Sequence, residues 1–167
     1  MLSEADLTPD QLDAINRLYE HDNTFLVAGM GSGKTVISLT ALKELLDEGV
    51  LSRVLVVAPL KVCNNVWASE HLNWTHLQDV DVTVLAGVPE KDRNVLAEKM
   101  GKLVIVNFEI LPWLKKAGLL DQFDGLLIDE STKLKGGGAW LKALRWQLKK
   151  FKWRAVMSGT PVSENWQ

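Results

Sequence analysis

One stretch restricts the possible folds of this chain more than any other: Thr24-Phe-Leu-Val-Ala-Gly-Met-Gly-Ser-Gly-Lys-Thr35. Phe25, Leu26, Val27 and Ala28 read as a short buried strand. The three glycines that follow, Gly29, Gly31 and Gly33, allow a loop with backbone angles that side chains would forbid. Lys34 and Thr35 then open a helix on which Val36, Ile37, Leu39, Leu42 and Leu46 fall roughly on one face. A strand, a glycine loop and a helix start form an anion cradle. Loop amides and the positive helix end face the anion, and the lysine adds a full charge.

Phosphate is the anion this arrangement suits. The stretch follows the Walker A pattern with one departure, Ala28 in place of the first glycine. The competing explanation is a glycine-rich βα turn with an incidental lysine; the strand and helix flanking the loop in the required order favour the phosphate cradle.

Further apolar runs recur along the chain. Arg53–Ala58, Val82–Ala86, Leu103–Asn107, Gly125–Asp129 and Arg154–Ser158 read as strands. Between them, helices are expected over Val62–Asn73, Pro89–Met100, Phe108–Lys116 and Ala139–Phe151. Ahead of them all, Thr8 caps a helix with Pro9 in its first turn and Gln11 at the capping-box position. Apolar strands alternating with helices imply an α/β domain, a parallel sheet with helices on both faces. At 167 residues there is room for one such domain. A net charge of −2 excludes a polybasic protein, so contact with nucleic acid would need local patches. No apolar run reaches membrane-spanning length, and the single cysteine, Cys63, suits a reducing cytoplasm.

The fifth of the six expected strands, Gly125–Asp129, ends in paired carboxylates, Asp129 and Glu130. Behind a Walker A loop in the same sheet this is the form of a Walker B element. Asp129 would hold Mg²⁺ beside the Thr35 hydroxyl, and Glu130 would orient and deprotonate an attacking water. A plain helix cap is the alternative for such a pair.

Several segments resemble one family. Asp129-Glu-Ser-Thr132 resembles the DExx box of helicase superfamily two, and Met157-Ser-Gly-Thr-Pro161 its motif III. Val57-Ala-Pro-Leu-Lys-Val-Cys-Asn-Asn-Val-Trp67 is similar to motif Ia of the Swi/Snf branch. Leu7-Thr-Pro-Asp-Gln11 resembles that branch's entry motif, and Asn107-Phe-Glu-Ile-Leu111 its motif Ib. The spelling is most like that of bacteriophage-encoded Swi/Snf-like ATPases. Ser131-Thr132 is a departure from the Ala-His, Gly-His or Ala-Asp that usually closes the box.

The resemblance implies a P-loop NTPase fold, the first RecA-like lobe of a DNA-dependent ATPase motor, extending over residues 1–167. It implies ATP bound with Mg²⁺ by Gly29, Met30, Gly31, Ser32, Gly33, Lys34 and Thr35, with Gln11 reading adenine. Lys34, Asp129 and Glu130 would be catalytic, and Thr35 and Asp129 the metal ligands. Ser158 and Thr160 would couple phosphate state to DNA. Pro59, Leu60, Lys61, Asn107 and Phe108 would border the track of a DNA partner, expected to be double-stranded. The sequence ends six residues after Pro161, so the second RecA-like lobe and its arginine finger would be supplied in cis or in trans. That finger is worth about 10³ to 10⁵ in rate, so this chain alone is expected to bind ATP weakly and hydrolyse it barely.

Other features have plainer readings. From Lys133 to Arg154 the sequence carries basic residues and no acid. On a helix Lys142, Arg145, Lys149 and Lys152 would form a basic stripe, either a phosphate-facing surface or an ordinary solvated face. Cys63, His71 and His76 lack a zinc spacing. The seven tryptophans suggest core and edge packing, with some on a partner surface. Two alternatives compete with the motor. A small P-loop nucleotide kinase leaves Ser-Gly-Thr-Pro unexplained, and a non-catalytic nucleotide-, DNA- or protein-binding regulator would use the same lobe.

Overall fold

A computed structural model describes residues 1–27, 33–130 and 138–159. Six strands form one sheet: β1 (Asn23–Val27), β2 (Val54–Ala58), β3 (Val82–Val84), β4 (Leu103–Asn107), β5 (Gly125–Asp129) and β6 (Trp153–Ser158). Every pairing is parallel, in the order β1-β6-β5-β2-β4-β3. Parallel strands need crossovers, and helices supply most of them. α1 (Pro9–Glu20) precedes β1, and α2 (Lys34–Asp47) links β1 to β2. The short α3 (Leu60–Val62), α4 (Glu90–Ala97), α5 (Leu111–Lys116) and α6 (Ala139–Arg145) follow. No helix among the described residues is long and apolar enough to cross a membrane.

Alternation along each strand divides the core in two. Val54, Val56 and Ala58 join Ile105, Leu127, Ala155 and Met157 on the face covered by α1 and α2. Leu55 and Val57 join Val104, Val106, Leu126, Ile128 and Val156 on the other, under Leu111, Leu114 and Leu144 of α5 and α6. Strands β2, β4 and β5 are buried at every residue, which is why they read as continuous apolar runs.

Two expected helices take a different form. Val62–Asn73 is not one helix: α3 passes into a π turn over Cys63–Trp67, where the Ala68 amide donates to the Cys63 carbonyl at 3.0 Å, and a 3₁₀ turn covers Glu70–Asn73. Asn64, Asn65, Val62 and Val66 are weak helix formers, so tertiary contacts decide here. The last helix stops at Arg145 rather than Phe151, with a 3₁₀ turn at Leu148–Lys150. Gln147 donates from its Nε2 to Asp121, and Phe151 is extended and buried. The helical basic stripe through Lys149 and Lys152 therefore does not form. Lys142, Arg145, Lys149, Lys150 and Lys152 are all exposed, and Trp146, 78% exposed, stands among them.

Candidate functional site

The strands bring their C-terminal ends to one sheet edge, where ligands of open α/β sheets bind. In register, Val27 lies opposite Ser158, and Met157 opposite Asp129. The end of the glycine loop, the helix start and the acidic strand end are therefore neighbours.

Gly33 precedes the first turn of α2 with φ 79° and ψ 29°, a left-handed conformation that a side chain resists. A Cβ at this position would also collide with the Gln11 Nε2. Gln11 thus has two settings at once. Its Oε1 accepts from the Thr8 amide at 2.9 Å and its own amide donates to the Thr8 hydroxyl at 3.2 Å, completing the capping box. Its amide nitrogen lies against the last glycine of the loop.

Lys34 begins α2 and sends its ammonium to Asp129, with Nζ 2.9 Å from Oδ1. Asp129 is fully buried, whereas the lysine side chain is 23% exposed. The other carboxylate oxygen, Oδ2, accepts from the Trp67 indole N–H at 3.0 Å. Oδ1 accepts no well-directed hydrogen bond among the described residues, so the Lys34 contact is one of charge. Thr35, next along α2, is also buried. Behind this group the Ser38 hydroxyl donates to the Lys34 carbonyl at 2.7 Å and touches the Met157 sulfur at 3.0 Å, tying α2 to β6.

Glu130 has φ 74°, and among the described residues it is the one non-glycine with positive φ. Such a conformation costs about 1–3 kcal/mol and clusters at functional sites. It breaks the extended path of β5 immediately after Asp129, while the Glu130 amide still donates to the Met157 carbonyl at 2.9 Å. Ser158 is fully buried at the end of β6. Gly29, Met30, Gly31, Ser32, Ser131, Thr132 and Thr160 lie outside the described residues.

A magnesium ion fits this donor set on chemical grounds. Hard oxygen ligands suit it, and a buried carboxylate oxygen lacking a directed donor lies beside the helix that carries the Thr35 hydroxyl.

Residues expected along a DNA track are split. Leu60 and Lys61 are exposed on α3, and half-buried Pro59 takes its N-cap position. Asn107 is only 6% exposed and donates from Nδ2 to Glu109 at 2.8 Å. The Phe108 ring is buried in the core, and its carbonyl accepts from the Leu111 amide.

Two further residues join the candidate site: Trp67, which the sequence placed at the end of the motif Ia resemblance without a role, and Ser38, which it did not single out. Besides that motif, the signal for Trp67 was that a buried indole must find an acceptor for its N–H. Cys63, one π turn earlier, lies nearby but is chemically quiet. Burial pushes its thiol up to about 12, and its Sγ donates to the Val106 carbonyl at 3.3 Å.

Comparison with known proteins bears on the family and the fold. Residues 11–167 match the SNF2-related domain. Protein p41 of Acyrthosiphon pisum secondary endosymbiont phage 1 is 36% identical over 129 residues, 76% of this chain and 28% of p41. Mouse chromodomain-helicase-DNA-binding protein 9 is 29% identical over 91% of this chain, a region amounting to 6% of that protein. The chain therefore spans less than a third of either relative. Among solved structures, the Sulfolobus solfataricus SWI2/SNF2 ATPase core in complex with dsDNA superposes with a TM-score of 0.76 at 21% identity, covering 97% of this chain and 34% of that one. The UvsW helicase of bacteriophage T4 gives 0.73 at 15% identity, covering 92% and 52%. The fold is that of RecA-like helicase cores, and the chain belongs to the SNF2-related domain family.

Proposed function

We propose that this chain is the ATP-binding lobe of a DNA-dependent ATPase motor, a Swi/Snf-like translocase or helicase. The observation that carries the reading is the meeting of Lys34 with Asp129 at 2.9 Å, which joins the end of the Walker A loop to the Walker B strand. The loop residues Gly29 to Gly33 would cradle the triphosphate, and Lys34 would exchange its carboxylate partner for phosphate oxygens. Thr35 and Asp129 would hold Mg²⁺, which supplies charge neutralisation to the phosphates. Glu130, turned off the strand by its positive φ, would take the proton of the attacking water. Gln11, fixed by its capping box, would present its amide to adenine.

Ser158 and Thr160 would pass the phosphate state to the DNA side. There the exposed Lys61 and Leu60, with Pro59, Asn107 and the Phe108 backbone, would border duplex DNA through contacts that ignore base identity. Hydrolysis at a useful rate would require a second RecA-like lobe contributing its arginine.

Isothermal calorimetry with Mg-ATP and Mg-ADP tests this reading. Weak binding by the wild type that disappears in Lys34→Ala, with negligible turnover by the isolated chain, is the expected result. No binding at millimolar nucleotide would refute the assignment and favour a regulator built on the same lobe. Strong DNA-stimulated turnover by the isolated chain would refute the need for a second lobe.

A further inference from the structure

The Asp129 carboxylate receives its described hydrogen bond from a residue outside both nucleotide motifs. Trp67 is fully buried, and its indole N–H meets Oδ2 at 3.0 Å. The backbone is shaped for that contact. An α turn would send the Ala68 amide to residue 64, but it donates instead to the Cys63 carbonyl, five residues back. Within that turn Trp67 is buried and meets the Asp129 carboxylate. π turns of this kind are rare and recur at functional sites.

We propose that Trp67 is a positioning residue for the metal-binding carboxylate, which its indole holds by Oδ2 so that Oδ1 faces Lys34 and the metal. This rests on the nucleotide-site reading above. The chemistry of the donor suits the task. An indole N–H does not titrate, carries no charge to compete with a cation and points in one fixed direction. Lys34 cannot fill this role once its ammonium turns to phosphate. The Trp67 bond would then remain on a carboxylate that is otherwise fully buried. Partners that orient metal ligands typically change metal affinity about 10- to 100-fold when removed.

The test uses the full chain and a fluorescent ADP analogue titrated at increasing Mg²⁺. Trp67→Phe keeps most of the ring and deletes the N–H. It is expected to raise the Mg²⁺ concentration needed for tight ADP binding about 10- to 100-fold, while affinity without Mg²⁺ stays at the wild-type value. Trp153→Phe is the control for packing. Trp153 is an equally buried indole, bonded to the Leu18 carbonyl at 2.9 Å on the same face of the sheet, and its loss should leave the Mg²⁺ requirement unchanged. In an Asp129→Asn background, Trp67→Phe should add nothing.

A second readout does not depend on the phenylalanine variant folding. The Trp67 indole resonance, assigned by triple-resonance NMR, should move on Asp129→Asn and again when Mg²⁺ joins the ADP complex. A wild-type Mg²⁺ requirement in Trp67→Phe, or an indole resonance indifferent to Asp129→Asn, would overturn the inference alone. Failure of the wild-type chain to bind ADP at all would overturn the nucleotide-site reading and this inference with it.

Discussion

The two halves of the sheet's C-terminal edge are built on different terms. At the β1–β6–β5 half, Lys34, Asp129, Trp67 and Ser38 are joined by one ion pair and short hydrogen bonds around one buried carboxylate. At the β2–β4 half, Lys61 and Leu60 stand exposed, whereas Asn107 and Phe108 are drawn into the protein. A buried charge must be matched by its neighbours or it destabilises the fold, so the first half is fixed by the chain's own interactions. The second half carries its charge in solvent, where it costs nothing to leave unpaired. Mutations should separate the two: the first couples stability to ligand binding, and the second affects ligand binding alone.

The largest effect is expected from Lys34→Ala. Removing one partner of a buried ion pair typically costs about 3–5 kcal/mol. The partial exposure of Lys34 puts this case near the lower end, about 3 kcal/mol by urea denaturation. Adding Asp129→Asn should restore much of the loss, because the stranded charge goes with it. A double variant no more stable than Lys34→Ala would mean that the pair is not what holds this half together.

Gly33→Ala comes next, at about 1–2 kcal/mol for an L-residue in the left-handed region, with a further loss from collision with Gln11. Gln11→Ala removes the collision but also the cap bond to the Thr8 amide, so Gly33→Ala made in a Gln11→Ala background and compared with Gln11→Ala alone should show the backbone cost. No cost in that comparison would show that φ at Gly33 is not strained.

Lys61→Ala should shift stability by no more than about 0.5 kcal/mol and leave ADP affinity unchanged. It should weaken DNA binding evenly across sequences and lower the salt dependence by about one phosphate contact. A loss of nucleotide affinity in this variant would break the division drawn between the two halves.

The smallest effect concerns pH. Burial lowers the pKa of His71 and of His76, whose Nε2 meets the Thr40 hydroxyl at 2.9 Å. A histidine held below its ordinary value of 6.5 binds protons first in the unfolded chain. Stability should therefore fall as pH drops through about 6.5 and level off below the folded-state values. His76→Gln should flatten the melting-temperature profile between about pH 7.5 and 5.5, and an unchanged slope would remove His76 as a cause.

Legibility in the sequence followed how locally each feature is determined. β4 and β5 have the expected limits, Leu103–Asn107 and Gly125–Asp129, because burial on both faces writes an apolar run bounded by glycine or polar residues. The cap formed by Thr8, Pro9 and Gln11 was legible for the same reason, since all its partners lie within one turn. The segment from Val62 to Asn73 was not, because its π turn accompanies a contact between Trp67 and Asp129 that no local pattern encodes. The end of α6 likewise coincides with the bond from Gln147 to Asp121, on a distant turn. The motifs singled out Lys34 and Asp129, and the structure brings the two together at 2.9 Å. Trp67 was legible only as the last residue of the motif Ia resemblance; its contact with Asp129 stays hidden until its N–H is traced to an acceptor.

A crystal structure of the chain with Mg-ADP tests the central claim most directly, namely that the Lys34–Asp129 pair marks the phosphate and metal site. The account predicts diphosphate at the start of α2 and magnesium between Thr35 and Asp129, with the Lys34 ammonium moved from Oδ1 to phosphate oxygen. Nucleotide bound elsewhere, or bound there with the 2.9 Å contact between Lys34 and Asp129 intact, would contradict it.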